Sequence, residues 1–153
     1  MLEGRCKCGS LTYRMKQRPM FVHCCHCSEC QTLTGSAFVL NAIIEADQVE
    51  YEGEVAQVTL ATPSGHGQLV TSCADCLTTV FSAYLSRKGK LRYVRVGTLD
   101  NPADCPPDVH IFTSSKLPWL KLSDDIPVYE NFYDFPDSWP EESRARFNRV
   151  FGD

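Results

Sequence analysis

The nine residues from His23 to Gln31, HCCHCSECQ, contain four cysteines and two histidines. This density of thiols and imidazoles constrains the chain more than any other feature, because it requires disulfides, a bound metal or thiol chemistry. The chain has nine cysteines, an odd number, so at least one is left out of any internal disulfide framework. The first residues lack the apolar stretch of a signal peptide, which predicts a cytoplasmic, reducing location. We therefore expect metal ligands rather than disulfides.

Length and charge exclude several classes of protein. A chain of 153 residues with 43% hydrophobic and 22% charged residues is typical of one globular domain, here residues 1–153. The net charge of -4 and the lack of a basic run argue against nucleic-acid binding. No apolar run approaches the ~20 residues that a membrane-spanning helix needs, so no membrane partner is expected.

Short apolar runs separated by turn signals predict a mainly β fold of antiparallel sheets with little helix. Residues 37–44, AFVLNAII, form a nearly continuous apolar run, which is typical of a strand buried on both faces. Residues 141–151 are a predicted helix, because they follow Pro140 and carry acidic residues early and arginines later. Residues 28–34 are predicted to form a single helical turn. The Pro- and aromatic-rich residues 117–153 are expected to form a tail that packs on the sheet. The predicted strands are residues 10–15, 20–25, 37–44, 49–51, 55–61, 68–72, 79–85, 91–96 and 109–113.

Two pairs of cysteines that are far apart in the sequence predict a structural zinc site. The pairs are Cys6 with Cys8 and Cys73 with Cys76. Closed zinc sites are built in this way, each pair lying on a tight turn and the two turns converging on one ion. Leu77 follows the second pair, where glycine would fit more easily if the backbone turned left-handed.

The run Cys25-His26-Cys27-Ser28-Glu29-Cys30 predicts a second zinc site with a different character. On a strand, Cys25 and Cys27 project to the same side, and a turn can bring Cys30 round to them. Three protein ligands and an open fourth position are typical of a catalytic zinc. The alternative is a second closed site. Its fourth ligand could be Cys24, His23, His26 or His110, although Cys24 and His26 should point to the opposite face.

Two further residues are given no metal role. Cys105 is expected to be an incidental loop thiol or a packed one. His66 lies in a Gly-flanked loop and is expected to be solvated. Cys24 adjoins Cys25 on the predicted strand, so its side chain should point to the opposite face. We therefore expect Cys24 to be a buried residue rather than a ligand.

The chain resembles the glutathione-dependent formaldehyde-activating enzyme family, another branch of which is a centromere protein. The resemblance is carried, in order along the chain, by GRCKCGSLTY, CHCSECQTLTGSAF, SCADC and HIFTSSKLPWLKLSDDIP. It implies twisted antiparallel sheets of the β-tent type and two zinc ions per chain. One ion would be held by Cys6, Cys8, Cys73 and Cys76, and the other by Cys25, Cys27 and Cys30, the catalytic site.

The resemblance also implies a function. The family's founding activity is that of a carbon–sulfur lyase acting on S-hydroxymethylglutathione, the adduct of formaldehyde and glutathione, so a small thiol such as glutathione is the expected partner. Family members commonly carry a basic residue directly after the third cysteine of the second site. This chain has Gln31 there, so a cation that could hold a carboxylate is missing from that position. The alternative hypotheses are a non-catalytic zinc module that binds another protein, and a thiol carrier.

Overall fold

A computed structural model describes residues 1–134 and 138–152 of the chain. Two β-sheets form its framework, and two α-helices accompany them in the described residues. None of the described helices is long and apolar enough to cross a membrane. The strands are β1 Leu2–Arg5, β2 Thr12–Met15, β3 Phe21–Cys25, β4 Val39–Glu45, β5 Val49–Glu52, β6 Val55–Leu60, β7 Gln68–Cys73, β8 Thr79–Tyr84, β9 Leu91–Arg95 and β10 Val109–Ile111; the helices are α1 Ser28–Thr34 and α2 Glu141–Phe151.

The smaller sheet has the order β1-β2-β5 and the larger one β10-β3-β4-β9-β8-β7-β6. The predicted mainly β fold with little helix is therefore confirmed, and nine of the ten strands coincide with predicted runs. Strand β1 was not predicted, because LEGR is short and contains a glycine. The structure requires that glycine, since a Cβ on Gly4 would overlap the ring of Tyr13 and the carbonyl of Thr98.

One edge of the larger sheet departs from the predicted antiparallel pairing. Strand β10 runs parallel to β3, with Val109 opposite His23 and Ile111 opposite Cys25. The parallel direction is possible because more than eighty residues connect the two strands, far more than the dozen or so that a crossover needs. This pairing places His110 beside Cys24, next to the cysteine-rich segment.

Two hydrophobic cores lie on opposite faces of the larger sheet. The first core, against the smaller sheet, includes Leu11 and Met15 together with Ala42 and Ile44 of β4. The second includes Ile43 of β4 and residues of the C-terminal segment. Alternate residues of β4 thus enter different cores, as strand geometry dictates. The prediction that this strand is buried on both faces is confirmed.

The C-terminal segment covers the second face of the larger sheet. Tyr133 and Trp139 are buried there, and α2 adds apolar contacts. Helix α2 is fastened by polar contacts as well: Ser143 donates to the carbonyl of Met20, and Arg146 forms a buried ion pair with Glu45 at the end of β4. The helix bounds are those predicted from the sequence.

Candidate metal centres

The four cysteines of the first predicted site lie together where β1 and β7 end. Their sulfur atoms are all within 4.8 Å of one another. Cys6 Sγ lies 3.4 Å from Cys8 Sγ, and Cys8 Sγ lies 3.8 Å from Cys73 Sγ. Four thiolates at ~2.3 Å from a tetrahedral zinc would be separated by ~3.8 Å, so the spacing fits this ion. Zinc itself stays a prediction.

Each cysteine pair lies on a turn of the same kind. The N–H of Cys6 donates to the carbonyl of Leu11, and the N–H of Cys73 donates to the carbonyl of Thr78, five residues later in both turns. Leu77 has a left-handed backbone with φ of 59°. The sequence therefore indicated correctly where glycine would fit more easily.

Thr78 stabilises the thiolate form of one cysteine in this cluster. Its side chain and its backbone N–H lower the pKa of Cys76 to about 5, because both favour the thiolate. The Thr78 hydroxyl is 3.1 Å from Cys76 Sγ, and it also accepts from the backbone N–H of Lys7. One threonine therefore links the two cysteine turns.

The second predicted site is formed where β3 passes into α1. Cys25 ends the strand, Cys27 caps the helix, and Cys30 lies in the first turn of the helix. The three sulfur atoms are within 4.8 Å of one another. Hydrogen bonds from the thiols of Cys25 and Cys30, and from the backbone N–H groups of Cys30 and Glu29, lower the pKa of Cys27 to about 2. The cluster thus favours a thiolate even before a metal is considered.

The four residues considered as a fourth ligand lie apart from these three sulfurs. Cys24, His26 and His110 form a separate buried group, in which His26 Nε2 is 2.9 Å from His110 Nδ1 and 3.5 Å from Cys24 Sγ. His23 Nε2 is instead 2.6 Å from the hydroxyl of Tyr133. Among the described residues, no fourth Cys, His, Asp or Glu joins the group of Cys25, Cys27 and Cys30.

The group of Cys24, His26 and His110 was not predicted from the sequence. Sequence reasoning placed Cys24 and His26 on the opposite face correctly, but nothing in the sequence brought His110 to them. The parallel pairing of β10 with β3 does so. His26 is fully buried, and its Nδ1 has no hydrogen-bond partner among the described residues. Burial lowers the pKa of His26 to about 4, so the ring is neutral at neutral pH.

Gln31 has a structural role at the base of the second site. Its amide donates to the carbonyls of His26 and Ser115, at 2.8 and 2.9 Å. These bonds hold α1 against the ends of β3 and β10. Cys105 is buried in the first core and His66 is exposed, as predicted for both.

A cavity of about 810 Å³ opens over the three-cysteine cluster. Such a volume is typical of small-molecule sites. Leu33, Phe112 and Phe132 form an apolar part of its wall, and residues 60–64 form another part of the lining. Sequence reasoning missed the polar wall, which is formed by Asn41, Gln68, Tyr84, Tyr93 and Arg95. A signal was present in the alternation of β9, which directs Leu91, Tyr93 and Arg95 to one face.

The fold and the two thiol clusters define a cysteine-rich, mainly β protein with a cavity over one cluster. The sequence profile described as "Glutathione-dependent formaldehyde-activating enzyme" matches residues 1–115, and the chain belongs to that family. The resemblance identified from the motifs is therefore confirmed.

Two of the proteins that are similar to this chain illustrate the likeness. A protein of Halomonas elongata is 26% identical over 155 residues, covering 95% of this chain and 96% of its own, and is named "Putative glutathione-dependent formaldehyde-activating enzyme". A crystal structure of a Rhodobacter sphaeroides protein has a TM-score of 0.50 and 18% identity, covering 67% of this chain and 93% of its own. The second likeness concerns the fold alone.

Proposed function

We propose that this protein is a zinc-dependent enzyme of the carbon–sulfur lyase type that acts on a thiol–aldehyde adduct such as S-hydroxymethylglutathione. One observation carries the proposal: Cys25, Cys27 and Cys30 face a cavity of about 810 Å³, and no fourth ligand joins them among the described residues. Family membership supports a glutathione-related activity. In this proposal the cytoplasm supplies the thiol.

A zinc ion bound by Cys25, Cys27 and Cys30 would supply a position that holds the substrate sulfur as a thiolate at neutral pH. Three thiolates and one divalent ion have a net charge of -1 (-3 + 2), which favours a soft sulfur ligand over the generation of hydroxide. The chain's own part is to fix the three sulfurs. Capping of α1 by Cys27 and the bonds from Gln31 do this, because they hold the helix against the end of the strand.

The lyase reaction breaks the bond between sulfur and the hydroxymethyl carbon. The electron pair stays on sulfur, the carbon becomes the aldehyde, and the hydroxyl proton must leave. Among the titratable groups near the cluster that could take this proton, His23 and Glu29 line the cavity, whereas His26 and His110 belong to the buried group on the other face of β3. Burial lowers the pKa of His23 to about 4, so its ring is neutral at neutral pH and is only a weak proton acceptor.

The four-cysteine cluster is proposed to hold a second, structural zinc ion. It lies between the end of β1 in the smaller sheet and the end of β7 in the larger one, so a metal there would join the two sheets. Cys6 and Cys73 are buried, whereas Cys8 is exposed. A site with four protein ligands has no open position for a substrate, so its metal stabilises the fold rather than acting on substrates.

The test is cobalt substitution followed by titration with a thiol. Cobalt bound to thiolates absorbs visible light, and the spectrum should change when glutathione enters the open position. Cys27→Ser should abolish this spectral response. Cys105→Ser changes a thiol that is buried in the first core, so this variant should still give the response. Loss of S-hydroxymethylglutathione should then be measured with and without the wild-type zinc protein. If the spectrum does not change when thiols are added, and absorption spectroscopy finds four protein ligands at the second site, the enzyme proposal is wrong. The protein would then be a non-catalytic zinc module.

A further inference from the structure

Arg95 is a buried cation on the wall of the cavity. It ends β9, has 7% of its surface exposed, and lines the same cavity as Cys25 and Cys30. Asn41 Oδ1, on the neighbouring strand β4, accepts a hydrogen bond from one terminal nitrogen of the guanidinium. Asn41 is itself buried, so the pair is a fixed part of the wall rather than a mobile surface side chain.

No carboxylate of the chain balances this charge within the described residues. The ion pairs found there involve other cations, and among the described residues Asn41 is the one hydrogen-bond acceptor of the Arg95 side chain. A guanidinium has five N–H donors and stays protonated in proteins. Because a buried charge without a counter-ion is costly, the remaining donors favour an anion that enters the cavity.

The rest of the cavity wall carries little other charge. Arg95 is the only Lys or Arg among the described lining residues, and Glu29, which is exposed, is the only carboxylate. Burial raises the pKa of both Tyr84 and Tyr93, so their phenols are neutral at neutral pH and supply no anion. The cavity therefore combines one sulfur-binding cluster with one site for an anion.

We propose that Arg95, oriented by Asn41, binds a carboxylate of the substrate, so that the site selects small thiols that carry a carboxylate over neutral thiols. The planar fork of a guanidinium matches the two oxygens of a carboxylate. Arg95 would thus supply, from β9, the cation that is missing at Gln31. The inference rests on the proposed function, because the position of the thiol sulfur at Cys25, Cys27 and Cys30 defines where the carboxylate can reach.

The competing role for Arg95 is a counter-ion for the metal-bound thiolates alone. Burial lowers the pKa of Arg95, and the negative charge of Cys30 and Cys25 acts in the opposite direction and raises it. The two roles predict different selectivity. A counter-ion for the thiolates treats charged and neutral thiols alike, whereas a carboxylate site prefers the charged one.

The test compares N-acetylcysteine with its carboxamide, which replaces the carboxylate by a neutral group. Their dissociation constants would be measured on cobalt-substituted protein from the thiolate–cobalt spectrum. Wild-type protein should bind the acid about tenfold or more tightly than the amide, as expected for a charge-assisted pair. Arg95→Gln should bring the ratio near or below one by weakening the acid alone, and Arg95→Lys should keep part of the preference.

Outcomes separate this inference from the proposed function. Equal binding of acid and amide to wild-type protein would overturn the role of Arg95 and leave the thiol site intact, and this comparison needs no variant. An unchanged ratio in folded Arg95→Gln would also overturn it. If neither thiol changes the cobalt spectrum, the proposed function itself fails, and the assignment of Arg95 fails with it.

Discussion

Loss of Arg146 of α2, which forms an ion pair with Glu45 of β4, should be one of the more destabilising single substitutions. Both residues are 8% exposed. Arg146 Nε and a terminal nitrogen donate to the two carboxylate oxygens at 2.9 and 2.6 Å, and the other terminal nitrogen donates to the carbonyl of Arg18 at 2.9 Å. Arg146→Met removes all three bonds and leaves the carboxylate buried.

Removal of one partner from a buried ion pair typically costs about 3–5 kcal/mol. The amide of Gln17 lies 3.5 Å from the same carboxylate, and a hydrogen bond of that length is too weak to replace the guanidinium. We therefore expect Arg146→Met to lower the free energy of unfolding by about 3 kcal/mol or more, measured by urea unfolding at pH 7. Combining it with Glu45→Leu should recover part of the loss, because no buried charge is then left unpaired.

The pH dependence of this pair has a definite sign. Burial acts to raise the pKa of Glu45, but the hydrogen bonds and the charge of Arg146 outweigh it, so the pKa lies below the usual value of 4.5. A lowered folded-state pKa contributes stability above pH 4.5 that is lost as the pH falls through the folded-state value. Wild-type protein should consequently lose stability more steeply on acidification than Arg146→Met does.

Arg144 provides the matched control for this prediction. It lies in the same helix, is partly buried, and makes no side-chain hydrogen bond or ion pair in residues 1–134 and 138–152. Arg144→Met should change the unfolding free energy by about 0.5 kcal/mol or less. An Arg146→Met variant that is as stable as the Arg144→Met variant would refute the reasoning.

The remaining predictions concern the two proposed metal sites and the turn at Leu77. Cys73→Ser should lower the melting temperature by at least about 5 °C and reduce the zinc content by one ion, because metal binding supplies folding free energy. Mild chelation should remove the zinc at Cys25, Cys27 and Cys30 first. Equal release of both ions would contradict the assignment of an open and a closed site. Leu77→Gly should raise the unfolding free energy by about 1 kcal/mol, since the side chain is 68% exposed and its backbone is left-handed. Leu77→Ala is its control and should show no gain in urea unfolding.

The sequence indicated those features that depend on local pattern. Alternation predicted most strands, and the charges and Pro140 predicted α2 with its bounds. Close spacing placed Cys25, Cys27 and Cys30 together, because their distances are set within six residues. Leu77 could be suspected of strain, since a tight turn requires a particular backbone whatever the rest of the chain does.

Features that depend on distant pairings could not be obtained in this way. His110 reaches His26 only because β10 lies parallel to β3, a pairing that no turn signal encodes. Arg95 could be assigned to a face of β9, but its cavity is formed by segments that are far apart in the sequence. The contact of Arg146 with Glu45 likewise spans 101 residues.

The late arrival of β10 has a consequence for synthesis on the ribosome. His110 follows His26 by 84 residues, so at 5–20 residues per second the nascent chain spends roughly 4 to 17 s with one edge of β3 unpaired. During that interval Cys24 and His26 lack the strand that later encloses them, and the thiols of residues 24–30 are open to metals and oxidants. Burial of Cys24 and His26 therefore waits for the synthesis of β10, whereas Cys25, Cys27 and Cys30, which line the cavity, stay accessible to metal after that strand has paired.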